Sequence, residues 1–244
     1  MINLVLVIPC YNEANRFLKD QYLEFLNSFP ENFLIFVNDG SKDETGNILK
    51  KLYESFSQQI HIINLAKNKG KSNAIRTGML YANESLKASK IGYLDADLAT
   101  SFEEIIRLSS LISNESVFIF GSRILKIDNE IIRKKYRFII GRIIATIISK
   151  ILRERIYDTQ CGCKVLTFSL IPLLFNDKFI STWLFDVELF FRLKIKYGEK
   201  SLKKLCKEIP LKKWVDTDDS RVSFLYIFKI WLDLYKINSL YNKK

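Results

Sequence analysis

Apolar and polar positions divide this 244-residue chain into two differently patterned halves. In the first half, short continuous apolar runs alternate with longer stretches whose apolar residues recur every three to four positions. Residues 4–8, 33–37, 60–65, 91–94 and 117–120 read as strands. Residues 14–28, 43–56, 71–86 and 101–112 read as helices. Strands without polar alternation are buried on both faces, as in a parallel sheet. Strands alternating with helices of ~10–15 residues make βαβ units, so the expected fold is α/β, a mainly parallel sheet flanked by helices.

Each strand is followed by a polar cluster. Tyr11-Asn12-Glu13, Asn38-Asp39-Gly40-Ser41, Asp95-Ala96-Asp97 and Gly121-Ser122-Arg123 all fall at carboxyl ends of expected strands. Ligands of such sheets bind at those ends, so the four clusters predict one site. Asp95 and Asp97 are two apart and share a face. Two convergent carboxylates either hold a hard divalent cation, Mg²⁺ or Mn²⁺, or cap the helix that follows.

The second half reads differently. Residues 131–156 are dense in Ile, Arg and Lys, and predict one helix or two broken near Gly141. Residues 222–244 interleave Phe224, Trp231, Leu232 and Tyr235 with lysines. Such amphipathic helices either lie on a membrane surface or pack on the sheet. A strand is expected at 164–168. The expected organisation is a catalytic domain over 1–221, including the basic segment 131–156, and an amphipathic helix over 222–244.

A net charge of +11 points to a polyanionic partner: nucleic acid, anionic lipid or a phosphorylated substrate. The chain lacks a helix-turn-helix pattern, zinc ligand set and RNP-type motif, so no nucleic-acid partner is expected. Cations concentrated in Ile-rich stretches suit an anionic membrane surface better. The one histidine, His61, reads as a strand residue and excludes a His-based triad or metal site. Cys10, Cys161, Cys163 and Cys206 lack zinc-knuckle spacing and read as free thiols in a reducing cytoplasm. Cys161 reads as structural rather than as a nucleophile. The first nine residues read as a strand, not a signal segment. No apolar run reaches the ~18 residues of a membrane span.

The motifs VIPCYNE (7–13), VNDGSKDET (37–45), NKGKSNAIRTGM (68–79) and DADLAT (95–100), in this order, resemble the inverting family 2 glycosyltransferases of GT-A (Rossmann-like) fold. GSR (121–123), YDTQCGCK (157–164), WLFDVEL (183–189) and EIPLKKW (208–214) resemble the dolichyl-phosphate β-glucosyltransferase branch, a polyprenyl-phosphate glycosyltransferase group. The similarity spans roughly residues 3–235.

The resemblance implies transfer of a hexose, glucose in this branch, from a UDP-sugar such as UDP-glucose to a polyprenyl phosphate. The enzyme would be peripheral, on the cytoplasmic, inner face of the membrane. It implies a nucleotide-sugar pocket of Pro9, Tyr11, Glu13, Asp39, Lys71, Asp95, Ala96 and Asp97. Asp39 would accept from the uracil N3–H. Asp95 and Asp97 would hold the metal, with Asp97 acting on the leaving diphosphate. Lys71 either approaches a donor phosphate or belongs to a solvated loop. Arg123 would clamp the acceptor phosphate with its two-pronged head. Arg133 and Arg137, four apart, would share a helix face, either on that phosphate or in solvent. Asp186 and Glu188 stand where hydroxyl-acceptor members place a base; here they would orient substrate or serve a polar network. Asp158 and Gln160 would contact sugar, acceptor or the metal's surroundings.

The chain departs from its branch at several points. It shows no N-terminal anchor of the kind eukaryotic members carry. Ala99 stands where mannosyl-transferring relatives have Gln. Cys163 replaces a Phe, and Asp219-Ser220-Arg221 replaces Gly-Ser-Lys. Two other readings stay open: a family 2 enzyme using a sugar hydroxyl of a glycan or lipid-linked saccharide, and a membrane-associated binding protein on the same fold.

Overall fold

The computed structural model describes residues 2–216 and 225–241, with backbone alone at 225–228. The motif Asp219-Ser220-Arg221, and the ends of the expected 222–244 helix at 222–224 and 242–244, lie outside the described residues.

Strands β1 (Ile2–Cys10), β2 (Phe33–Asn38), β3 (Ile60–Asn64), β4 (Ala88–Leu94), β5 (Phe118–Ser122), β7 (Cys163–Thr167) and β8 (Cys206–Pro210) form a seven-stranded sheet, ordered β3-β2-β1-β4-β7-β5-β8. Pairings β1–β2, β1–β4, β2–β3 and β5–β8 are parallel. β7 is inserted antiparallel between β4 and β5. The mainly parallel expectation holds, and the antiparallel strand belongs to the YDTQCGCK motif.

Helices α1 (Lys19–Ser28), α2 (Thr45–Ser55) and α4 (Phe102–Ser110) cover one face. Helices α3 (Lys71–Ser85), α5 (Lys135–Leu152), α6 (Ile171–Phe175), α7 (Phe185–Tyr197) and α9 (Leu225–Tyr241) cover the other; the short helix α8 (Glu199–Leu205) precedes β8. Alternation along β1 sends Val5 and Val7 into the second layer and Leu4, Leu6 and Ile8 into the first. These residues are fully buried, which is why β1 reads as a continuous apolar run. His61 lies in β3 and stacks on Tyr81 at 4.0 Å, as a strand residue should.

Two expected elements are corrected. The first helix begins at Lys19, not residue 14, because 13–16 form a turn. Ala14 N–H donates to Asp43 and Glu13 N–H to Thr45, which ties this turn to the next loop. Segment 131–156 is not helical throughout. β6 (Glu130–Ile132) pairs in parallel with β9 (Lys213–Val215) as a small second sheet, and α5 starts only at Lys135. Arg133 therefore lies in the connection, and the shared helix face expected for Arg133 and Arg137 does not exist. Gly141 does not break α5; it admits the Arg133 guanidinium, which would stand 2.7 Å from a Cβ there.

Helix α9 seats Ile230, Leu234 and Ile237 in the core, with Asp233 accepting from Ser181 Oγ at 2.7 Å. Trp231, Leu232, Tyr235 and Leu240 face outward. Among the described residues, no helix is long and apolar enough to cross a membrane.

Candidate active site

The carboxyl ends of β1, β2 and β4 open onto a cavity of about 390 Å³. Its lining includes Pro9, Tyr11, Glu13, Asp39, Lys71, Asp95, Ala96 and Asp97. Three of the four expected polar clusters therefore contribute to one cavity; the fourth, Gly121-Ser122-Arg123, does not line it.

The loops are held by side chain to backbone bonds. Asn12 N–H donates to Ser41 Oγ at 3.0 Å, and Lys42 N–H returns to Asn12 Oδ1 at 2.8 Å. Asp39 is almost fully buried and accepts from the N–H groups of Lys69 and Gly70 at 2.9 and 2.8 Å. Burial pushes its carboxyl up from the usual range, against those two donors. Gly40 takes φ +68°, and a Cβ there would stand 2.6 Å from the Lys67 carbonyl carbon. Only glycine lets the two loops approach this closely.

Asp95 and Asp97 follow β4 and keep part of their surface open, 36% and 14% of each side chain. Lys71, the first residue of α3, meets Asp95 Oδ1 at 2.5 Å, and Arg16 Nη1 meets Asp97 Oδ2 at 3.5 Å. Burial alone would pull the Lys71 ammonium down; Asp95 and Asp186 outweigh it and raise it. Lys71 thus belongs to the site, not to a solvated loop. Asp97 Oδ1 also accepts from Ala99 N–H at 3.1 Å, and Tyr22 donates to the Ala96 carbonyl at 3.0 Å.

Two partly open carboxylates on one cavity fit a hard divalent cation. Among the described residues no third acidic, His or Cys side chain joins them. Phosphate oxygens and water would have to complete the coordination, as is usual for Mg²⁺ bound with a nucleotide.

The arginines behave unevenly. Arg137 lines the cavity and pairs with Asp216. Arg123 does not line it: its Nε and Nη2 grip Asp158 at 2.7 and 2.9 Å, and its guanidinium lies over Trp214. The fork expected to clamp a phosphate is closed on a protein carboxylate. Burial raises Asp158, but the Arg123 charge outweighs this and holds it at about 2. Arg133 is pulled down from its ordinary value by burial and by the nearby Arg123 charge. Arg133 thus lies near Arg123, and of the three arginines Arg137 alone lines the cavity.

Asp186 and Glu188, two apart on α7, point to different surroundings. Asp186 accepts from the Tyr93 hydroxyl and pairs with Lys164 Nζ at 2.8 Å. Glu188 is fully buried, accepts from the N–H groups of Ile180 and Ser181 and from Tyr241, and does not line the cavity. A base role for Glu188 at the cavity has no geometric support. Gln160 lies beside Asp158, to which its N–H donates at 3.1 Å, and it too stands outside the lining. Cys161 is fully buried, and burial followed by Asp158 pushes its thiol up to about 11, unlike an activated nucleophile. All four cysteines are free.

Arg16, Asn68 and Trp183 also line the cavity. Sequence reasoning assigns none of them a role. Arg16 follows Glu13 by three residues and forks onto it, a spacing that could have flagged the pair.

The chain matches Glycosyl transferase family 2 over residues 5–174. A dolichyl-phosphate beta-glucosyltransferase of Trichomonas vaginalis is 31% identical, aligned over 96% of this chain and 72% of its own length. The Homo sapiens protein of that name is 30% identical over 77% of this chain and 62% of its own length. Glucosyl-3-phosphoglycerate synthase of Mycobacterium tuberculosis, in complex with Mn²⁺, UDP-glucose and phosphoglyceric acid, superimposes with a TM-score of 0.68 at 12% identity, covering 97% of this chain and 80% of that one. Mannosyl-3-phosphoglycerate synthase of Rubrobacter xylanophilus gives 0.69 at 12% identity, covering 98% and 73%. At such identity the likeness shows the fold, which is GT-A-like.

Proposed function

The chain belongs to glycosyl transferase family 2, and from that premise we propose that it transfers glucose from UDP-glucose to the phosphate of a polyprenol, inverting the anomeric carbon. The observation that carries this reading is the meeting of Asp39, Lys71, Asp95 and Asp97 on one cavity. Relatives spanning nearly the whole chain are named for glucosyl transfer to dolichyl phosphate.

In this reading Asp39, with Pro9, Tyr11 and Glu13, holds the uridine. Its two oxygens each accept one backbone N–H and retain a lone pair for the uracil N3–H. Lys71 faces the diphosphate from the N-terminus of α3, where the helix dipole also favours anions. A divalent cation, Mg²⁺ or Mn²⁺, held by Asp95 and Asp97 would neutralise charge growing on the β-phosphate. An acceptor phosphate oxygen attacks the anomeric carbon from the opposite side. A new C–O bond forms, the bond to UDP breaks, and the electron pair leaves with UDP.

A phosphate monoester is already ionised near neutral pH, so the step needs no strong base. The engagement of Asp186 with Tyr93 and Lys164, and of Glu188 with the 180–181 backbone, supports this acceptor over a sugar hydroxyl. In this reading Arg137, on the cavity wall, binds the phosphate with Arg133 supporting it, while Arg123, its charge matched by Asp158, holds the neighbouring loop in place.

In this reading the enzyme attaches peripherally to an anionic membrane surface, on the cytoplasmic face, where it meets the polyprenol. Tyr136, Ile139 and Ile143 project from one side of α5, and Leu125 and Ile127 from the loop before β6; all are exposed. Lys126, Lys134 and Lys135 stand among them, also exposed. Apolar groups entering the interface beside cations that meet headgroups give reversible attachment, ~1 kcal/mol per cation. On this reading 1–221 is the catalytic unit and α9 adds a further outward apolar face. The reading is tested by incubating the protein with Mn²⁺ or Mg²⁺, a panel of nucleotide sugars, and either polyprenyl phosphate or sugar acceptors. Mass spectrometry should find glucosyl phosphoryl polyprenol; product only on sugar acceptors would reject it.

A further inference from the structure

Lys164 is a lysine with no solvent exposure, on β7 inside the sheet between β4 and β5. Removing an ammonium from water is costly unless its charge and donors are matched. Here they are. Nζ donates to the Cys161 carbonyl at 2.6 Å and meets Asp186 Oδ1 at 2.8 Å. Tyr93, opposite Lys164 in the β4–β7 register, donates its hydroxyl to the same Asp186 oxygen. The Tyr93 ring centroid lies 5.4 Å from Nζ.

This buried group does not line the cavity, yet its contacts lead there. The Cys161 carbonyl begins the peptide to Gly162. Gly162 lies so close to Asp95 that a Cβ would stand 2.1 Å from Oδ2. On its other side Asp95 meets Lys71. The Asp95 carboxylate is therefore gripped between the Gly162 backbone and the Lys71 ammonium, and Lys164 anchors the peptide that forms one wall of that grip.

We propose that Lys164 is a positioning residue for the donor. By tying the Cys161 carbonyl to Asp186 on α7, it fixes the Gly162 wall against which Asp95 rests, and so sets where that carboxylate meets the diphosphate and its cation. The role rests on the nucleotide-sugar reading of the cavity. A purely structural lysine would matter only by leaving Asp186 buried and unpaired when removed. A positioning lysine would still matter after that charge was neutralised.

The two are separated by Lys164→Met, Asp186→Asn and the double variant in the full chain, read by thermal midpoint and by calorimetric affinity for UDP with Mn²⁺. Lys164→Met should lower the midpoint. The double variant, which lacks the stranded carboxylate, should recover most of it. Its UDP–Mn²⁺ affinity should remain down by ~10-fold or more, the scale on which groups supporting a metal ligand act. Asp186→Asn alone keeps the Lys164–Cys161 bond and leaves an amide oxygen to accept from Nζ, so it should lose less UDP–Mn²⁺ affinity than either variant that lacks Lys164. If Lys164→Met does not fold, the double variant carries the comparison. Wild-type affinity in the double variant overturns the role of Lys164 alone. Failure of the wild-type chain to bind UDP–Mn²⁺ overturns the donor reading, and this role with it.

Discussion

Gly162→Ala should give a protein that folds normally and transfers poorly. Its backbone is not in the left-handed region, so alanine fits the local conformation. The added methyl would lie 2.1 Å from Asp95 Oδ2 and 2.5 Å from its Cγ, where real Cβ contacts essentially never fall below 3.0 Å. The carboxylate must move by about 0.9 Å to clear it. It is the end of a partly open side chain, so it can rotate into the cavity, at the expense of its 2.5 Å contact with Lys71. Little stability should be lost. A misplacement of ~1 Å at a reacting centre costs on the order of 100-fold in rate, or ~2.7 kcal/mol of barrier. The assay is kcat/KM for UDP-glucose with polyprenyl phosphate, beside a thermal melt. A well-folded Gly162→Ala enzyme within about threefold of wild type would mean that Asp95 does not need its observed position.

Asp97→Asn should cut turnover by ~100-fold or more, as loss of leaving-group charge stabilisation does, with the melt nearly unchanged; steady-state kinetics across Mn²⁺ concentrations checks it. Arg123→Ala strands the Asp158 carboxylate and should cost ~3–5 kcal/mol in denaturant titrations, with Arg123→Lys recovering part, since lysine keeps charge but not the fork. The Asp158 carboxyl sits at about 2 folded against ~3.9 unfolded. Its depressed value contributes stability above pH ~4 that is lost as pH falls toward 2. Asp158→Asn should remove ~2.6 kcal/mol of that pH-dependent stability, read by urea titration at stepped pH. Replacing Ile139 and Ile143 on α5 by Asp should weaken sedimentation with anionic liposomes severalfold while leaving UDP binding unchanged; equal sedimentation would reject α5 as the docking face.

The sheet and the convergence of its loops are legible in the sequence because parallel strands buried on both faces leave long apolar runs, each closed by a polar cluster. The Asp95/Asp97 pair is legible because its spacing alone puts both groups on one strand end. Partnerships formed across the fold are not. Arg123 and Asp158 are 35 residues apart and meet because β5 and β7 are neighbours. Arg16 and Asp97 are 81 apart and meet because β1 pairs with β4. A cation that looks suited to a phosphate can thus be committed to a carboxylate that only the topology brings near. The Ile-rich run at 131–156 hides its strand because Ile suits helix packing and strand alike, and only pairing with Lys213–Val215 decides for β6. Lys164 inside a strand gives no sign that it is buried. Asp186 and Glu188 resemble a pair of bases, yet on a helix a two-residue step turns them to opposite sides.

The proposed reaction is an inverting transfer of glucose onto a phosphate. Its most direct measurement is proton and phosphorus magnetic resonance of the product formed from UDP-glucose, short polyprenyl phosphate and Mn²⁺. The expected product is a β-glucosyl phosphodiester whose anomeric proton couples to phosphorus, with one UDP released per product. An α-linked product, a glycosidic bond without phosphorus coupling, or intact UDP-glucose after full incubation with well-folded protein would contradict it.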